Sequence, residues 1–432
     1  MKMNLRGMNL KKVIAIILMA AILTTSGVLA SDNTAEAAVI NIKVDAFAKA
    51  LANAIGLQPI TGTQKSTYVN ALIEKGIIKE GDFTSYTSYL TRTDGAVILN
   101  RADEYLYGDT LDADLVNVAL EKRISDINKI KESKRIDVVK CYLKGYIKGF
   151  SNGDYSTDRA WKGSSKLSKA GALNCIKMLK IPSLREKISP DGQLIRTTKL
   201  PKNAKLYPYI LASYPNRYYE KGLAYEGVTR TKNGKDFPLV SLVDYYAPVD
   251  IDKLTEYDFA TAKKKYLDTW VGKVKTHFEL IFNVDYRTIG DEWLEAVTAT
   301  DSYYAHGSMI DLTTKKLGKY IEGMKANKTI VETSKVAVDA SSLYSYEGSY
   351  YFKVYVKYRI VSSAIPSTTD IETYLSEKPY NKLVYSRSIV DLSGFTLGKW
   401  KEACFNVALD EPTLTDGSGI GVSVTDLNVF LK

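Results

Sequence analysis

The chain has 432 residues, of which 45% are hydrophobic and 25% charged, and this balance excludes a mainly disordered or fibrous protein. Lys and Arg outnumber Asp and Glu by 59 to 49, which gives a net charge of +10. At roughly 100 to 200 residues per domain, the length predicts two or three domains. The chain has 31 Tyr and 11 Phe, so most aromatic side chains carry a hydroxyl that needs water or another hydrogen-bond partner.

The N-terminal segment predicts a secretory signal. Residues 1–12 contain four basic residues and no acidic one, and an apolar run over residues 13–23 follows. This run is shorter than the roughly 20 residues that a membrane-spanning helix needs. Cleavage after Ala30 is favoured, residues 35–37 offer a second site, and an uncleaved anchor is the remaining alternative. Removal of residues 1–30 would leave a mature chain with a net charge of +6 and no membrane span.

Three segments between residues 42 and 180 share one layout, in which an apolar residue and a capping position precede a helical pattern. In the middle copy, residues 90–99, Thr91 is the expected N-cap and Asp94 follows three residues later, as in a capping box. Residues 167–176 repeat the layout, and residues 42–51 form a weaker copy.

Two of these helical segments follow a second shared element. Residues 71–79 and residues 141–148 each predict a helix that ends at a glycine, followed by an apolar pair and a lysine. Glycine is the residue best suited to the left-handed conformation that closes many helices. The N-terminal region is therefore expected to be a helical repeat module over residues 39–195.

These motifs resemble the S-layer homology family, the wall-anchoring module of bacterial surface proteins. Residues 90–94 resemble its Ile-Thr-Arg-Ala-Glu signature, residues 149–153 its Gly-Tyr-Pro-Asp-Gly turn, and residues 124–127 the opening of a unit. The resemblance implies an all-α, three-fold helical prism that binds secondary cell-wall polysaccharide, an anionic polymer that often carries pyruvylated sugars. The polysaccharide-binding residues that it implies are Thr91, Arg92, Asp94, Gly149, Asn152, Gly153 and Lys169.

The three copies depart from the family signature. At the position of the signature cation they have Val44, Arg92 and Lys169, and only the middle copy keeps the acid, Asp94. A polymer that carries carboxylates needs guanidinium or ammonium donors, so one or at most two of the three grooves are expected to bind it. The alternative is that the fold persists as a packing module without wall binding.

The remainder of the chain predicts an α+β domain over residues 206–432, after a turn-rich linker over residues 181–205. Residues 207–219 are aromatic and punctuated by proline, which indicates a strap packed over a neighbouring element. One long helix with a single apolar face is predicted over residues 256–282. The whole chain is thus expected to be α+β, an all-α module followed by a long helix packed on an antiparallel sheet.

The sheet is predicted from alternation of apolar and polar residues. Residues 331–346 and 351–360 predict a β-hairpin, and residues 385–390, 403–409 and 422–431 predict further strands. One face of the second hairpin strand is rich in tyrosine and cations and is expected to point outward. This face either binds anionic glycans or uses its lysines to discourage edge pairing. Its residues are Tyr351, Lys353, Tyr355, Lys357 and Arg359.

The histidines and cysteines do not predict a metal or redox site. His277 is expected at the surface or boundary of the long helix, and His306 lies in a segment that fits either a site or a loop. The three cysteines are odd in number and widely spaced, so buried thiols are expected, with a Cys141–Cys175 disulfide as the alternative. No His or Cys pair has metal-ligand spacing, and neither a metal nor a cofactor is predicted.

The hypothesis of a catalytic site rests on carboxylates alone. Asp291, Glu292 and Glu295 flank Trp293, and a carboxylate beside an aromatic ring could act as a glycosidase acid. The chain has no nucleophile elbow, phosphate loop or dinucleotide fingerprint, and no catalytic residue is assigned.

The sequence favours a secreted, non-catalytic protein of the cell wall or surface of a Gram-positive-type bacterium. The helical module is expected to hold the protein non-covalently to wall polysaccharide. The alternatives are a self-assembling envelope or appendage subunit, and a wall or polysaccharide hydrolase in residues 206–432. Nucleic acid is not an expected partner, because the mature charge is modest and no basic cluster is present.

Overall fold

The computed structural model of the protein describes most of the chain from residue 39 onward. The described residues are 39–64, 66–202, 204, 207–220, 229–232, 235–238, 259–300, 308–346, 349–364, 396–409 and 423–426. The predicted signal, His306 and the predicted strand 385–390 lie outside these ranges. Helices and antiparallel strands occupy largely separate parts of the chain, which makes the class α+β. None of the helices within the described ranges has the length and hydropathy of a bilayer-spanning segment.

The first part of the chain, up to about residue 200, is mainly helical. Its helices are α1 Val44–Ala54, α2 Thr67–Glu74, α3 Arg92–Tyr107, α4 Ala113–Lys122, α5 Glu132–Leu143 and α6 Lys169–Lys180. The Thr91 hydroxyl accepts a hydrogen bond from the Asp94 backbone N–H at 3.1 Å, and Ser168 caps α6 in the same way through Gly171, at 3.1 Å. The two predicted N-caps are therefore confirmed. The weaker copy has Lys43 at the N-cap of α1, which provides no side-chain cap.

Helices α2 and α5 end at the predicted glycines. Gly76 follows α2 with φ +67°, and Gly145 follows α5 with φ +74°, both in the left-handed region. At Gly145 the backbone also approaches closely, because Glu186 donates its N–H to the Gly145 carbonyl at 2.9 Å.

The three segments predicted as copies meet in a closed ring of backbone hydrogen bonds. The Ile42 N–H donates to the Leu167 carbonyl at 3.1 Å, the Leu167 N–H to the Leu90 carbonyl at 2.8 Å, and the Leu90 N–H to the Ile42 carbonyl at 2.9 Å. Each of these buried residues lies two positions before the first residue of its helix, α1, α3 or α6. The positions that the sequence pattern aligned are therefore structurally equivalent.

The segment after α6 is not a free linker. Within it, Ser189, Asp191 and Gly192 are buried, and Asp191 pairs with the guanidinium of Arg123 at 3.3 Å. Arg123 Nε also donates to the Asp191 carbonyl at 2.8 Å, and the Tyr142 hydroxyl donates to the Gly192 carbonyl at 3.0 Å. The linker prediction is wrong for this turn, because a buried arginine on the helical side needs its carboxylate.

The second part of the described chain contains a five-stranded antiparallel sheet and its helices. In chain order the described strands are β1 Phe150–Ser151, β2 Arg159–Ala160, β3 Thr229–Lys232, β4 Lys235–Pro238, β5 Val284–Asp285, β6 Ile330–Tyr346, β7 Ser349–Ser362, β8 Lys401–Leu409 and β9 Ser423–Asp426. The five-stranded sheet has the order β5-β6-β7-β8-β9, and β1-β2 and β3-β4 form separate pairs. The predicted hairpin, strand 403–409 and the start of the last strand are confirmed, whereas residues 427–431 lie outside the described ranges.

The long helix packs its apolar face on the sheet. Its described part, α8 Phe259–Phe282, contacts β6, and two further helices follow, α9 Asp291–Thr300 and α10 Ser308–Ala326. Trp270, Val274 and Phe278 are buried in one cluster with residues of β6, β7 and β8. The prediction of a single buried face is confirmed.

The tyrosine-rich segment before residue 220 is a strap across the sheet, as predicted, and contains the short helix α7 Asn216–Tyr219. The Tyr214 hydroxyl donates to the Val338 carbonyl of β6 at 2.8 Å, and the Tyr218 hydroxyl donates to the Lys353 carbonyl of β7 at 3.0 Å. Both tyrosines are buried, so their hydroxyls satisfy sheet carbonyls in the interior.

The cysteines and His277 lie in the interior. Cys141, Cys175 and Cys404 are buried and form no disulfide, so the expectation of buried thiols is confirmed and the disulfide alternative is wrong. His277 is 1% exposed, and its Nδ1 lies 3.0 Å from the hydroxyl of Thr300. The prediction of a surface or boundary position is wrong, because α9 covers this side of α8. Burial lowers the pKa of the His277 imidazole to about 4.

A matched pair of glycine substitutions tests the helix ends. A Cβ at Gly145 would lie 2.1 Å from the Glu186 carbonyl oxygen, whereas a Cβ at Gly76 would have no neighbour within 4 Å. Gly76→Ala is expected to lower the free energy of unfolding by about 1 kcal/mol, the cost of a left-handed non-glycine residue. Gly145→Ala is expected to cost at least twice as much, measured by chemical denaturation. Equal losses would contradict the close approach at Gly145.

The burial of His277 predicts a stability that falls with pH. The folded-state pKa of about 4 lies below the unfolded value of about 6.5, so only the unfolded chain takes up a proton at intermediate pH. The contribution of His277 is fully present above pH 6.5 and is lost as pH falls toward 4, by about 2 kcal/mol between pH 7 and pH 5. Denaturation of wild type and His277→Gln at both pH values measures it. The variant should show a drop smaller by that amount, and an identical drop would refute the assignment.

Candidate functional site

The structure brings Arg92 against the turn at residues 149–153, which resembles the Gly-Tyr-Pro-Asp-Gly signature of the family. Arg92 is the first residue of α3, and its guanidinium carbon lies 4.7 Å from the ring centre of Phe150 and 5.3 Å from that of Trp161. Its Nε donates to the Trp161 carbonyl at 2.9 Å. The Lys162 ammonium lies 4.6 Å from the Phe150 ring centre. We call Arg92, Phe150, Trp161 and Lys162 the Arg92 site.

The loop of the Arg92 site is held by the segment that resembles the opening of a unit. The Asp126 carboxylate accepts hydrogen bonds from the backbone N–H groups of Trp161 at 2.6 Å and Lys162 at 2.9 Å. Gly149 has φ +66°, and a Cβ there would lie 3.1 Å from the Ala160 carbonyl oxygen. A glycine is therefore required where β1 begins, and Phe150 pairs with Ala160 across the short ladder.

The open face of the Arg92 site combines an aromatic ring with positive charge. Phe150 is 42% exposed, and Lys162 is exposed beside it. Arg92 is half-buried, and burial lowers the pKa of its guanidinium from the ordinary value. The Arg92 Nη groups make no hydrogen bond to the described residues, so the two groups that could clamp a carboxylate are available.

Thr91 and Asp94 support this site and are engaged with protein groups. The Thr91 hydroxyl lies 2.6 Å from the Asp94 carboxylate, which also forms an ion pair with Lys134 at 2.6 Å. Because Lys134 neutralises Asp94, the negative charge nearest Arg92 in sequence does not cancel the positive character of the site. We assign Thr91 and Asp94 to the capping of α3.

A second cation–aromatic pair flanks the Arg92 site. Lys166 places its ammonium 4.6 Å from the ring centre of Tyr89, which is 46% exposed. Lys166 is the bridge partner of Thr91, and the Arg92 N–H donates to the Ser165 carbonyl at 2.8 Å. The Arg92–Trp161 pair and the Tyr89–Lys166 pair therefore both join residues 89–92 to residues 161–166.

The other predicted residues take different places. Asn152 donates to the Ser125 hydroxyl and the Asp158 carboxylate, each at 3.0 Å, and Gly153 has φ +98°, so both shape the turn. Lys169 is exposed at the first residue of α6 and makes no hydrogen bond or ion pair with the described residues. The alignment of copies found Arg92. Trp161 and Lys162 come from the loop before α6, and no motif of the sequence singled them out.

The expected outward face of the hairpin strand is largely buried. Lys353 is 2% exposed, and its Nζ donates to the Tyr218 carbonyl at 2.8 Å, while Tyr355 is 3% exposed and stacks on Tyr155 at 3.6 Å between ring centres. The prediction that this face points outward is wrong for these two residues, because the tyrosine strap and the residue 155 loop cover them.

The ends of that strand are less covered. Lys357 and Arg359 are half-buried, and Arg359 pairs with Glu332 at 2.6 Å. The side chain of Tyr351 lies outside the described residues. A continuous glycan-facing surface over residues 351–359 is therefore not available.

The carboxylates considered for catalysis lie on the surface of α9. Asp291, Glu292 and Glu295 are exposed. Trp293 donates its Nε1 proton to the Leu280 carbonyl at 2.9 Å and stacks on Tyr320. The tryptophan therefore has a packing role between helices. No group of His, Cys, Asp and Glu within the described ranges could hold a metal ion.

Comparisons with known proteins give no relative. No family model, no curated protein and no solved structure matches the chain. Function must therefore be argued from the site itself.

Proposed function

We propose that the protein is a secreted, non-catalytic surface protein of a Gram-positive-type bacterium, held non-covalently to an anionic wall polysaccharide by residues 42–180. The observation that carries the proposal is the Arg92 site, where the ring centre of an exposed phenylalanine lies 4.7 Å from a guanidinium carbon and 4.6 Å from an ammonium group. The proposal includes export by the N-terminal signal and a three-fold prism of the S-layer homology type.

Support for the prism comes from the ring of hydrogen bonds among Ile42, Leu90 and Leu167. In a three-fold arrangement, equivalent residues of the three units meet around one axis, and each unit makes the same contact with the next. The three bonds follow this pattern, since each residue donates to one neighbour and accepts from the other. The resemblance of the signature segments to the family points in the same direction.

The chemistry of the Arg92 site fits a sugar that carries a carboxylate. The Arg92 Nη groups can bind a carboxylate through two parallel hydrogen bonds, and Lys162 adds a second positive charge. The exposed Phe150 ring offers an apolar surface to the C–H face of a sugar ring. Pyruvylated sugars and uronic acids both present this combination.

The three units are unequal in this proposal. The residues equivalent to Arg92 are Val44, which is apolar and buried, and Lys169, which is exposed without an aromatic partner among the described residues. One complete site therefore dominates binding, and Lys169 adds at most a weak, salt-sensitive contribution.

Co-sedimentation of the full chain with isolated cell-wall material tests the proposal. Arg92→Ala is expected to weaken binding at least about tenfold, because it removes a charge-assisted contact worth about 1.4 kcal/mol or more. Lys180→Ala is the matched control, since Lys180 is an exposed cation at the far end of α6, and it should sediment as wild type. Failure of the wild type to sediment, or equal effects of the two variants, would contradict the proposal.

Two further variants separate charge from stacking. Arg92→Lys keeps the charge but loses the planar guanidinium, and Phe150→Leu keeps an apolar side chain but loses the aromatic face. Both are expected to bind more weakly than wild type at low salt. Binding of the Phe150→Leu variant should keep the wild-type salt dependence, whereas Arg92→Ala should show a reduced one. Unchanged binding by both variants would exclude this site as the contact.

A further inference from the structure

A polar cleft that shares no residue with the Arg92 site lies where the helical region meets α8 and β6. Its volume is 820 Å³, which is in the range of small-molecule binding sites. One wall comes from the end of α4 and the segment 155–158, and the other from α8. Residues 333–338 of β6 also line the cleft.

The cleft explains the polar side of α8. Asp268, Gly272, Lys275, Thr276 and Glu279 line it, and they recur at spacings of three and four residues. The opposite side of the helix is buried against the sheet. The polar side of α8 therefore faces the cleft, and the end of α4 and residues 155–158 also line that cleft.

The charges in the cleft are balanced. Lys122 pairs with Asp268 across the two walls, and Lys275 pairs with Glu279 along α8 at 3.7 Å. The lining cations are Lys122, Arg123, Lys275 and Lys335, and the lining anions are Glu121, Asp158, Asp268 and Glu279. An ion of either sign gains little from such a lining, in contrast to the positive Arg92 site.

The uncharged polar part of the lining is suited to hydroxyl groups and lies beside apolar residues such as Val271 and Val336. It includes the side chains of Ser156, Thr157, Thr276, Ser334 and Asn283. Lys335 donates to the Ser156 hydroxyl at 3.2 Å, which links β6 to the helical wall. Hydroxyl and amide side chains donate and accept, as sugar hydroxyls do.

Two buried polar atoms in this lining make no hydrogen bond to the described residues, Gln193 Oε1 and Thr333 Oγ1. Gln193 is 3% exposed and lines the cleft, and its Nε2 donates to the Asp191 carboxylate at 2.6 Å. Its Oε1 accepts no hydrogen bond from the described residues. An unpaired buried polar atom costs free energy. Because both atoms are covered, a ligand hydroxyl would satisfy them only after side chains of the lining move.

We infer that this cleft binds an uncharged oligosaccharide of about two or three sugar units. The inference is independent of the proposed wall anchor, since it uses different residues and an uncharged rather than an anionic ligand. A ligand in the cleft would contact both the helical region and the α+β region of the chain.

Saturation-transfer NMR on the full chain tests the inference with three uncharged trisaccharides, those of N-acetylglucosamine, glucose and mannose, at millimolar concentration. Wild type is expected to bind at least one of them. Gly272→Trp should weaken that binding at least fivefold, because a Cβ at Gly272 has no neighbour within 4 Å and the indole would fill the cleft. Thr276→Phe is a second cleft-filling variant, on an exposed residue of the polar side of α8.

Gly318→Trp is the matched control. Gly318 lies inside α10, has equally open space around a Cβ and does not line the cleft, so this variant should bind as wild type. Circular dichroism verifies that each variant is folded. Absence of binding by all three trisaccharides, binding that survives both cleft-filling variants, or stronger binding of a charged galacturonate trisaccharide would overturn the inference. Wall sedimentation of Gly272→Trp should stay normal, which keeps this test separate from that of the Arg92 site.

Discussion

The ring of backbone hydrogen bonds among Ile42, Leu90 and Leu167 is the constraint on which the helical region depends. Buried backbone groups must pair, and here each of three chain segments satisfies the next. Because each residue lies two positions before a helix, the ring fixes where α1, α3 and α6 begin. Arg92 opens α3 and the Trp161 loop leads into α6, so the same three bonds bring the guanidinium to its aromatic neighbours.

The tyrosine-rich composition has a structural explanation in the described chain. Tyr214 and Tyr218 carry their hydroxyls into the interior and bind carbonyl groups of β6 and β7, while their rings fill the space over the sheet. Phenylalanine would fill the same space but leave those carbonyls with one partner fewer. Tyr155, from the helical region, stacks on Tyr355 of the sheet and extends the same aromatic layer. Two parts of the chain with different architectures are thereby joined through rings that are apolar on their faces and polar at one end.

Two surfaces of different electrostatic character follow from this arrangement, one positive and one with balanced charges. At the Arg92 site, Lys134 neutralises Asp94 and leaves Arg92 and Lys162 to act outward. In the cleft, cations and anions pair across and along the walls, and hydroxyl and amide groups lie beside them. A protein that bound a charged wall polymer at one surface and an uncharged glycan at the other would use the same chain for attachment and for recognition.

The sequence alone determined features that depend on neighbours in the chain. Caps at Thr91 and Ser168, the glycine helix ends, the hairpin and the apolar face of the long helix were all predictable, because each is set by residues within a few positions. Only the tertiary structure determined which side chains are buried beneath segments from distant parts of the chain. Lys353 and His277 were expected outside and lie inside, because the strap and α9 pack over them from distant parts of the chain. The contact between Arg92 and Trp161 is likewise long-range, and local periodicity carries no information about which distant loop closes over a side chain.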